Sequence, residues 1–199
     1  MPKNDTVSLT YFLDFVHKSG TPRLTVVRNF KKRPDYDPAT DYYMPLRKEI
    51  VRMHGAGDPK TVLDALVATA HAKKKANYAT AVAGYKKFLG KKTVSWFDPP
   101  KGKWSGAGID VSVNPEVGLE INGVRFVLKL HFKRDKLAKN KMEIINHLMA
   151  ETLTDPKQPM TFGVVDMRGG KLITAVTDPD LPALLKGEAA AFAAMLAAV

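Results

Sequence analysis

Four polar residues near the middle of the chain are of types that could support catalysis on a phosphate ester. They are two carboxylates, a lysine and a histidine: Asp110, Glu120, Lys129 and His131. Paired carboxylates can hold Mg²⁺, a lysine can stabilise a negatively charged phosphate, and a histidine can exchange a proton near neutral pH. On one shared surface the four would form a candidate catalytic site, with Asp110 and Glu120 as the metal ligands.

A turn signal predicts how most of these residues are positioned. The pair Asn122-Gly123 stands between two alternating runs and tolerates positive φ at both central positions of a type I′ hairpin turn. The pairs that this turn predicts are Ile121–Val124, Glu120–Arg125, Leu119–Phe126 and Val117–Leu128. Because side chains alternate between faces, Glu120, Lys129 and His131 then share the polar face of the hairpin.

The run 109–113 alternates as well, which predicts a third strand in the same meander. A three-residue loop after this run would bring Asp110 opposite Glu120. Two facing carboxylates repel each other, so they need a cation from a basic neighbour or a bound metal. This register is the condition for a metal site on the sheet.

The order of helix, three antiparallel strands, helix and strand over about 76–176 resembles the core of the restriction-endonuclease-like nucleases. Their motif is an acid on one strand followed by acidic-x-Lys on the next. Asp110 or Glu120 matches the first acid and Lys129 matches the lysine, whereas Val127 stands where the second acid belongs. The resemblance implies a degenerate nuclease-like core that needs no cofactor. The alternative is a divergent Mg²⁺-dependent phosphodiesterase or nuclease, in which a carboxylate from elsewhere completes the site. The acids that could do so are Glu116 and Glu143.

The same residues also have a structural interpretation without catalysis. Glu120 with Arg125, and Glu116 with Lys129, could form solvated cross-strand ion pairs. His131 would then be a solvent-facing histidine. Both interpretations are open at this point.

The charge of the chain favours an anionic partner. The net charge is +11, and residues 1–100 carry 18 Lys+Arg against 9 Asp+Glu, whereas residues 101–199 carry 13 against 11. Cations among aromatic rings can bind phosphates while the rings stack on unpaired bases of DNA or RNA. The residues expected in such an interface are Lys31, Lys32, Arg33, Lys73, Lys74, Lys75, Lys101, Lys103 and Trp104. A solvated basic surface, with aromatics that anchor loops to the core, is the alternative.

Several function classes lack support in the sequence. The chain has 199 residues and no cysteine, which removes disulfides and thiolate metal sites and permits a reducing compartment. It has no GxxxxGKS loop, GxGxxG turn or GxSxG elbow. It also has no signal-peptide pattern at its start and no run of about 18 apolar residues. We therefore expect a cytoplasmic protein without a membrane span.

The elements predict an α+β fold: an antiparallel meander sheet, covered on one face by helices, with a helical N-terminal region. Residues 1–92 form the mainly helical basic region, with a short strand at 23–30, and 93–199 form the sheet-plus-helix core. Residues 188–199 are predicted to be a final alanine-rich helix. Because that helix is apolar all round, it should pack against the body or pair two chains in a homodimer, the basis of a non-catalytic interaction protein.

Overall fold

The computed structural model describes residues 6–34, 41–132, 139–174 and 178–199, except for the side chain of residue 139. Its helices are α1 (Leu9–Val16), α2 (Gly20–Lys32), α3 (Met44–Ala56), α4 (Val62–Thr69), α5 (Ala72–Leu89), α6 (Lys139–Leu153) and α7 (Leu181–Ala198). Its strands are β1 (Thr6–Ser8), β2 (Val94–Phe97), β3 (Gly102–Gly106), β4 (Ile109–Val113), β5 (Val117–Ile121), β6 (Val124–His131), β7 (Thr161–Asp166) and β8 (Lys171–Thr174). These elements confirm the α+β class.

The strands form two mixed sheets. The smaller has the order β1-β4-β3 and the larger the order β2-β5-β6-β7-β8. In the larger sheet β6 runs parallel to β7, and α6 makes the crossover between them, as a parallel connection requires. In the smaller sheet β1 pairs in parallel with β4. The predicted antiparallel meander is therefore confirmed for β5 and β6. It is wrong for β4, which lies in the smaller sheet, and the larger sheet is mixed because β6 and β7 are parallel.

Apolar side chains project from both faces of the larger sheet into two separate cores. On one face Val127 and Val164 join a first core with β3, β4, α1, α2, α6 and α7. On the other face Leu128 and Val165 join a second core with α3, α4 and α5. The prediction that helices cover only one face is wrong, because α6 and the smaller sheet cover the face that was expected to be polar. Val127 has no exposed surface, so the acid missing at this position is replaced by core packing.

The β5–β6 hairpin has the predicted form. Asn122 has φ of 52° and Gly123 has φ of 81°, as a type I′ turn requires. The register pairs Ile121 with Val124 and Glu120 with Arg125, as the turn signal predicts. The local chemistry of two turn residues therefore sets the pairing of the whole hairpin.

The strand predicted at 23–30 is wrong, because these residues lie inside α2. Val26, Val27 and Phe30 are buried in the first core at the spacing of one helix face. The β-branched pair in this segment favours a strand locally, but burial of a helical stripe outweighs that preference.

The end of the chain forms one helix, α7, which begins at Leu181, seven residues before the final helix predicted at 188–199. Its buried side consists of Leu181, Leu185, Ala189 and Phe192. Among the described helices α7 alone has the length and apolarity to cross a membrane, with a mean hydropathy of 1.4 over its window. Its four buried residues belong to the first core, so this helix packs against the body of the protein. Pairing of two chains through α7 stays a prediction.

Candidate functional site

Asp110 and Glu120 lie in different sheets. Asp110 is on β4, opposite Ser105 of β3 and Thr6 of β1. Glu120 is on β5, opposite Ser95 of β2 and Arg125 of β6. The predicted register is wrong, so the two carboxylates are not the cross-strand neighbours that the expected metal pair requires. The described residues also contain no group of three or more His, Cys, Asp or Glu side chains placed to hold a metal ion.

The physical reason is a second tight turn in the sequence. Ala107 and Gly108 both have positive φ, 45° and 88°, and close a hairpin between β3 and β4. β4 therefore pairs with β3, the strand that precedes it in the chain, over residues 102–106. The signal that could have found this hairpin is the Gly106-Ala107-Gly108 run just before an alternating strand.

The carboxylate that does meet Lys129 is Glu116. The Lys129 Nζ atom lies 2.6 Å from Glu116 Oε1 and donates a second hydrogen bond of 2.9 Å to the main-chain oxygen of Asn114. The main-chain N–H of Leu130 donates to the other Glu116 oxygen at 2.9 Å. The predicted cross-strand pair of Glu116 with Lys129 is confirmed. It ties the start of β5 to β6, which is a structural role.

Glu120 and Arg125 are cross-strand neighbours, but the side chain of Arg125 contacts Gln158 and Phe97. Its Nη1 donates to Gln158 Oε1 at 2.6 Å, and its guanidinium lies 4.1 Å from the centre of the Phe97 ring. Glu120 is exposed. This part of the sheet thus has a stacked arginine rather than a carboxylate site.

Lys129 and His131 do come together in a small cavity of about 80 Å³ between α1, β6 and α6, whose lining is mostly apolar. Asp14 of α1 and Lys141 of α6 also line it. Nearby, burial lowers the pKa of His17, and the charge of Lys141 lowers it further. Sequence reasoning missed Asp14 and Lys141, since no motif links residues on three separate elements. Because Lys129 is paired with Glu116, and Asp14 and Lys141 carry opposite charges, the charges around this cavity are close to balanced.

Two of the predicted basic clusters meet on one side of the molecule. Arg33, just after α2, donates from Nη2 to the main-chain oxygen of Thr6 at 3.1 Å. Thr6, Lys103 and Asp110 line an open polar groove of about 460 Å³ along the β3–β4 hairpin. The end of α2 is thus joined to the groove through β1.

α7 makes a second link between these clusters. Lys31 at the end of α2 donates a hydrogen bond to the main-chain oxygen of Val199. Further back on α7, the Cβ of Ala193 lies 3.7 Å from the place that a Cβ on Gly108 would take. Lys31, Arg33 and Lys103 thus lie on segments that these contacts connect through β1 and α7, and Lys32 is an exposed neighbour of Lys31. We call the region of these four cations the α2–β3 surface.

The third cluster lies elsewhere. Lys73, Lys74 and Lys75 are in the first turn of α5, which packs in the second core on the opposite face of the larger sheet. Lys74 lies over the Tyr42 ring at 5.2 Å, and Lys75 donates to the main-chain oxygen of Ala68 at 3.4 Å. The basic residues thus do not form one surface.

Trp104 cannot serve as a stacking platform in this fold. Its side chain is 5% exposed, and its ring lies 6.0 Å from that of Phe12 in the first core. Residue 104 points inward because β3 alternates, which leaves Lys103 outside. Lys101 is exposed in the loop before β3. The expected combination of Trp104 with its neighbouring lysines is therefore wrong as regards stacking.

Comparison with known proteins gives no family for this chain: no protein-family model matches it, and no curated protein matches it. The function must be argued from the geometry and charge of the described residues.

Proposed function

We propose that the protein binds nucleic acid through the α2–β3 surface. What supports the proposal is the contact of Arg33 with Thr6, which joins the basic end of α2 to the groove that Lys103 lines. Cations from segments about seventy residues apart then face the same solvent region. A row of phosphates is a ligand whose charge and length match such an arrangement.

The mode of binding follows from where the aromatic rings lie. Phe30 and Trp104, the rings next to these cations in the sequence, are both 5% exposed and belong to the first core. Stacking on unpaired bases is therefore not available from these two side chains. We propose contacts to the phosphate backbone, with little dependence on sequence and no preference for single strands.

A binding assay with matched variants tests the proposal. Lys32 and Lys103 are exposed, so Lys32→Gln with Lys103→Gln removes two charges without disturbing the core. We expect affinity for labelled double-stranded oligonucleotides to fall about tenfold at low salt, because two phosphate contacts are lost. The control is Lys73→Gln with Lys75→Gln, which changes the net charge equally on α5. No binding by the wild type at low salt would refute the proposal.

The separation of Asp110 from Glu120 leads to a second expectation, that the protein does not cleave nucleic acid efficiently. A Mg²⁺-dependent nuclease needs carboxylates around the ion and a lysine beside the attacking water. Here Lys129 is held by Glu116, and β4 lies outside the larger sheet. The nuclease-like core remains a proposal from the order of elements in the sequence, and the position of β4 in the smaller sheet counts against it.

The assay for this expectation uses plasmid and oligonucleotide substrates with Mg²⁺ or Mn²⁺. Wild type and Lys129→Ala should both leave the substrates intact. Robust cleavage by the wild type that disappears in Lys129→Ala would establish the enzyme alternative instead.

A further inference from the structure

A second concave region lies far from the α2–β3 surface, on the second-core face of the larger sheet. It is an open groove of about 390 Å³ between the end of α5, the tip of the β5–β6 hairpin and β8. Its apolar lining consists of Phe88, Ile121, Val124, Phe126 and Leu172. The volume lies within the usual range of small-molecule pockets, about 300–1,000 Å³.

The groove has an apolar floor and an exposed apolar rim. Phe88 and Ile121 are 3% and 5% exposed, whereas Val124 at the hairpin tip is 48% exposed. Among the described residues only Val124 and Leu184 are large hydrophobic side chains with such exposure. An apolar side chain left in water beside an apolar concavity marks a place where a ligand can remove that surface from solvent.

The charge around the groove has one sign. Lys92 lines it, donates a hydrogen bond to the main-chain oxygen of Phe88, and lies 5.0 Å from the centre of the Phe88 ring. An ammonium group has three donors, so two of them are left for a ligand. The side chain of Lys87 packs against Gly170 at one end. The described residues that line the groove include no carboxylate.

We propose that this groove binds a single-chain aliphatic carboxylate. The hydrocarbon chain lies on Phe88, Phe126 and Leu172, where apolar burial stabilises it. The carboxylate accepts a charge-assisted hydrogen bond from Nζ of Lys92 at the solvent side. This inference does not depend on nucleic-acid binding, because the two regions lie on opposite sides of the larger sheet.

The first test is titration calorimetry of the full chain with ligands that share a chain length and differ in charge. Octanoate, decanoate, decanol and decyltrimethylammonium are used below their micellar concentrations. Decanoate should bind at one site and more tightly than octanoate. The affinity should rise about two- to fourfold for each of the added methylene groups. Decanol should bind about tenfold more weakly than decanoate, and decyltrimethylammonium should show no saturable binding.

The second test uses variants that leave the core intact. Lys92→Met keeps an apolar stem but removes the charge, so decanoate affinity should fall to that of decanol, whereas decanol affinity is unchanged. Val124→Glu places an anion on the exposed rim and should weaken decanoate binding at least about tenfold. The matched control is Leu184→Glu, since Leu184 is equally exposed on α7 and away from the groove.

Three results would overturn the inference. One is equal affinity for decanoate and decanol in the wild type. Another is equal loss of binding in Val124→Glu and Leu184→Glu, which would move the site away from the groove. The third is binding to phosphatidylglycerol vesicles with none to free decanoate, which would assign the groove to a membrane surface.

Discussion

At the residue scale, a few side chains make contacts that no pattern in the sequence predicts. His54 of α3 is one: its Nε2 atom lies 2.7 Å from the hydroxyl oxygen of Tyr85 on α5. Its ring also stacks on Trp96, at 6.2 Å between centres. Burial raises the pKa of Tyr85, so its hydroxyl stays protonated and can donate to unprotonated Nε2. This pair links two helices of the second core.

His54 predicts a loss of stability in acid. Burial lowers the pKa of His54 from 6.5 to about 4. Between these two pH values the unfolded chain binds a proton that the folded chain does not, so stability falls as the pH falls through this window. In His54→Gln, which can still accept from Tyr85, the decrease in melting temperature from pH 7 to pH 4.5 should be smaller. Equal decreases in the two proteins would contradict the assignment.

A substitution at Gly123 should change stability through backbone strain, without a steric clash with neighbouring atoms. A Cβ at Gly123 would have no atom within 4 Å, and its φ is 81°. Gly123→Val should therefore cost about 1–2 kcal/mol through conformational strain alone. Asn122→Gly, which keeps the turn, should be nearly neutral. Urea denaturation measures both, and an unchanged midpoint for Gly123→Val would disprove the type I′ requirement.

At the element scale, one glycine of α5 sets how closely this helix packs against the turn after β7. A Cβ on Gly84 would collide with the main-chain oxygen of Met167 and lie 2.7 Å from the carbonyl carbon of that residue. The backbone of α5 thus rests directly on the turn after β7. Because Gly84 permits that approach, the distance between helix and sheet depends on a missing side chain.

Replacing a helical glycine with alanine should change the stability of the fold in opposite directions at Gly84 and at Gly187. Gly84→Ala forces α5 away from the sheet and should destabilise the fold by about 1–3 kcal/mol. Gly187→Ala on exposed α7 meets nothing within 4 Å and should stabilise it by about 0.5–1 kcal/mol. Chemical denaturation of both variants checks this. A destabilising Gly187→Ala together with a neutral Gly84→Ala would reverse the account of α5 packing.

The elements also show how far the sequence could predict the structure. The class, the β5–β6 register and the Glu116–Lys129 pair follow from local patterns, because a turn residue or an alternation acts on its near neighbours. The parallel pairing of β4 with β1 does not, since β1 lies about a hundred residues earlier in the chain. A strand's own pattern does not specify which sheet it enters, and that choice separated Asp110 from Glu120. The burial of Trp104 followed from the same unpredicted sheet.

At the scale of the whole molecule, the positive charge is divided between the two sides of the larger sheet. Lys32 and Lys103 lie on the first-core side, whereas α5 carries Lys73 and Lys75 on the second-core side. A net charge of +11 attracts any polyanion weakly from all directions. A test for a specific binding site must therefore compare variants that lose the same charge at different places on the surface.

The salt dependence of nucleic-acid affinity makes that comparison most directly. Each phosphate contact contributes about 0.9 to the slope of log affinity against log salt. With double-stranded DNA, Lys32→Gln with Lys103→Gln should reduce the magnitude of the slope by about 2. Lys73→Gln with Lys75→Gln should leave it unchanged. Equal slopes in all three proteins, or the larger reduction in the α5 variant, would contradict binding at the α2–β3 surface.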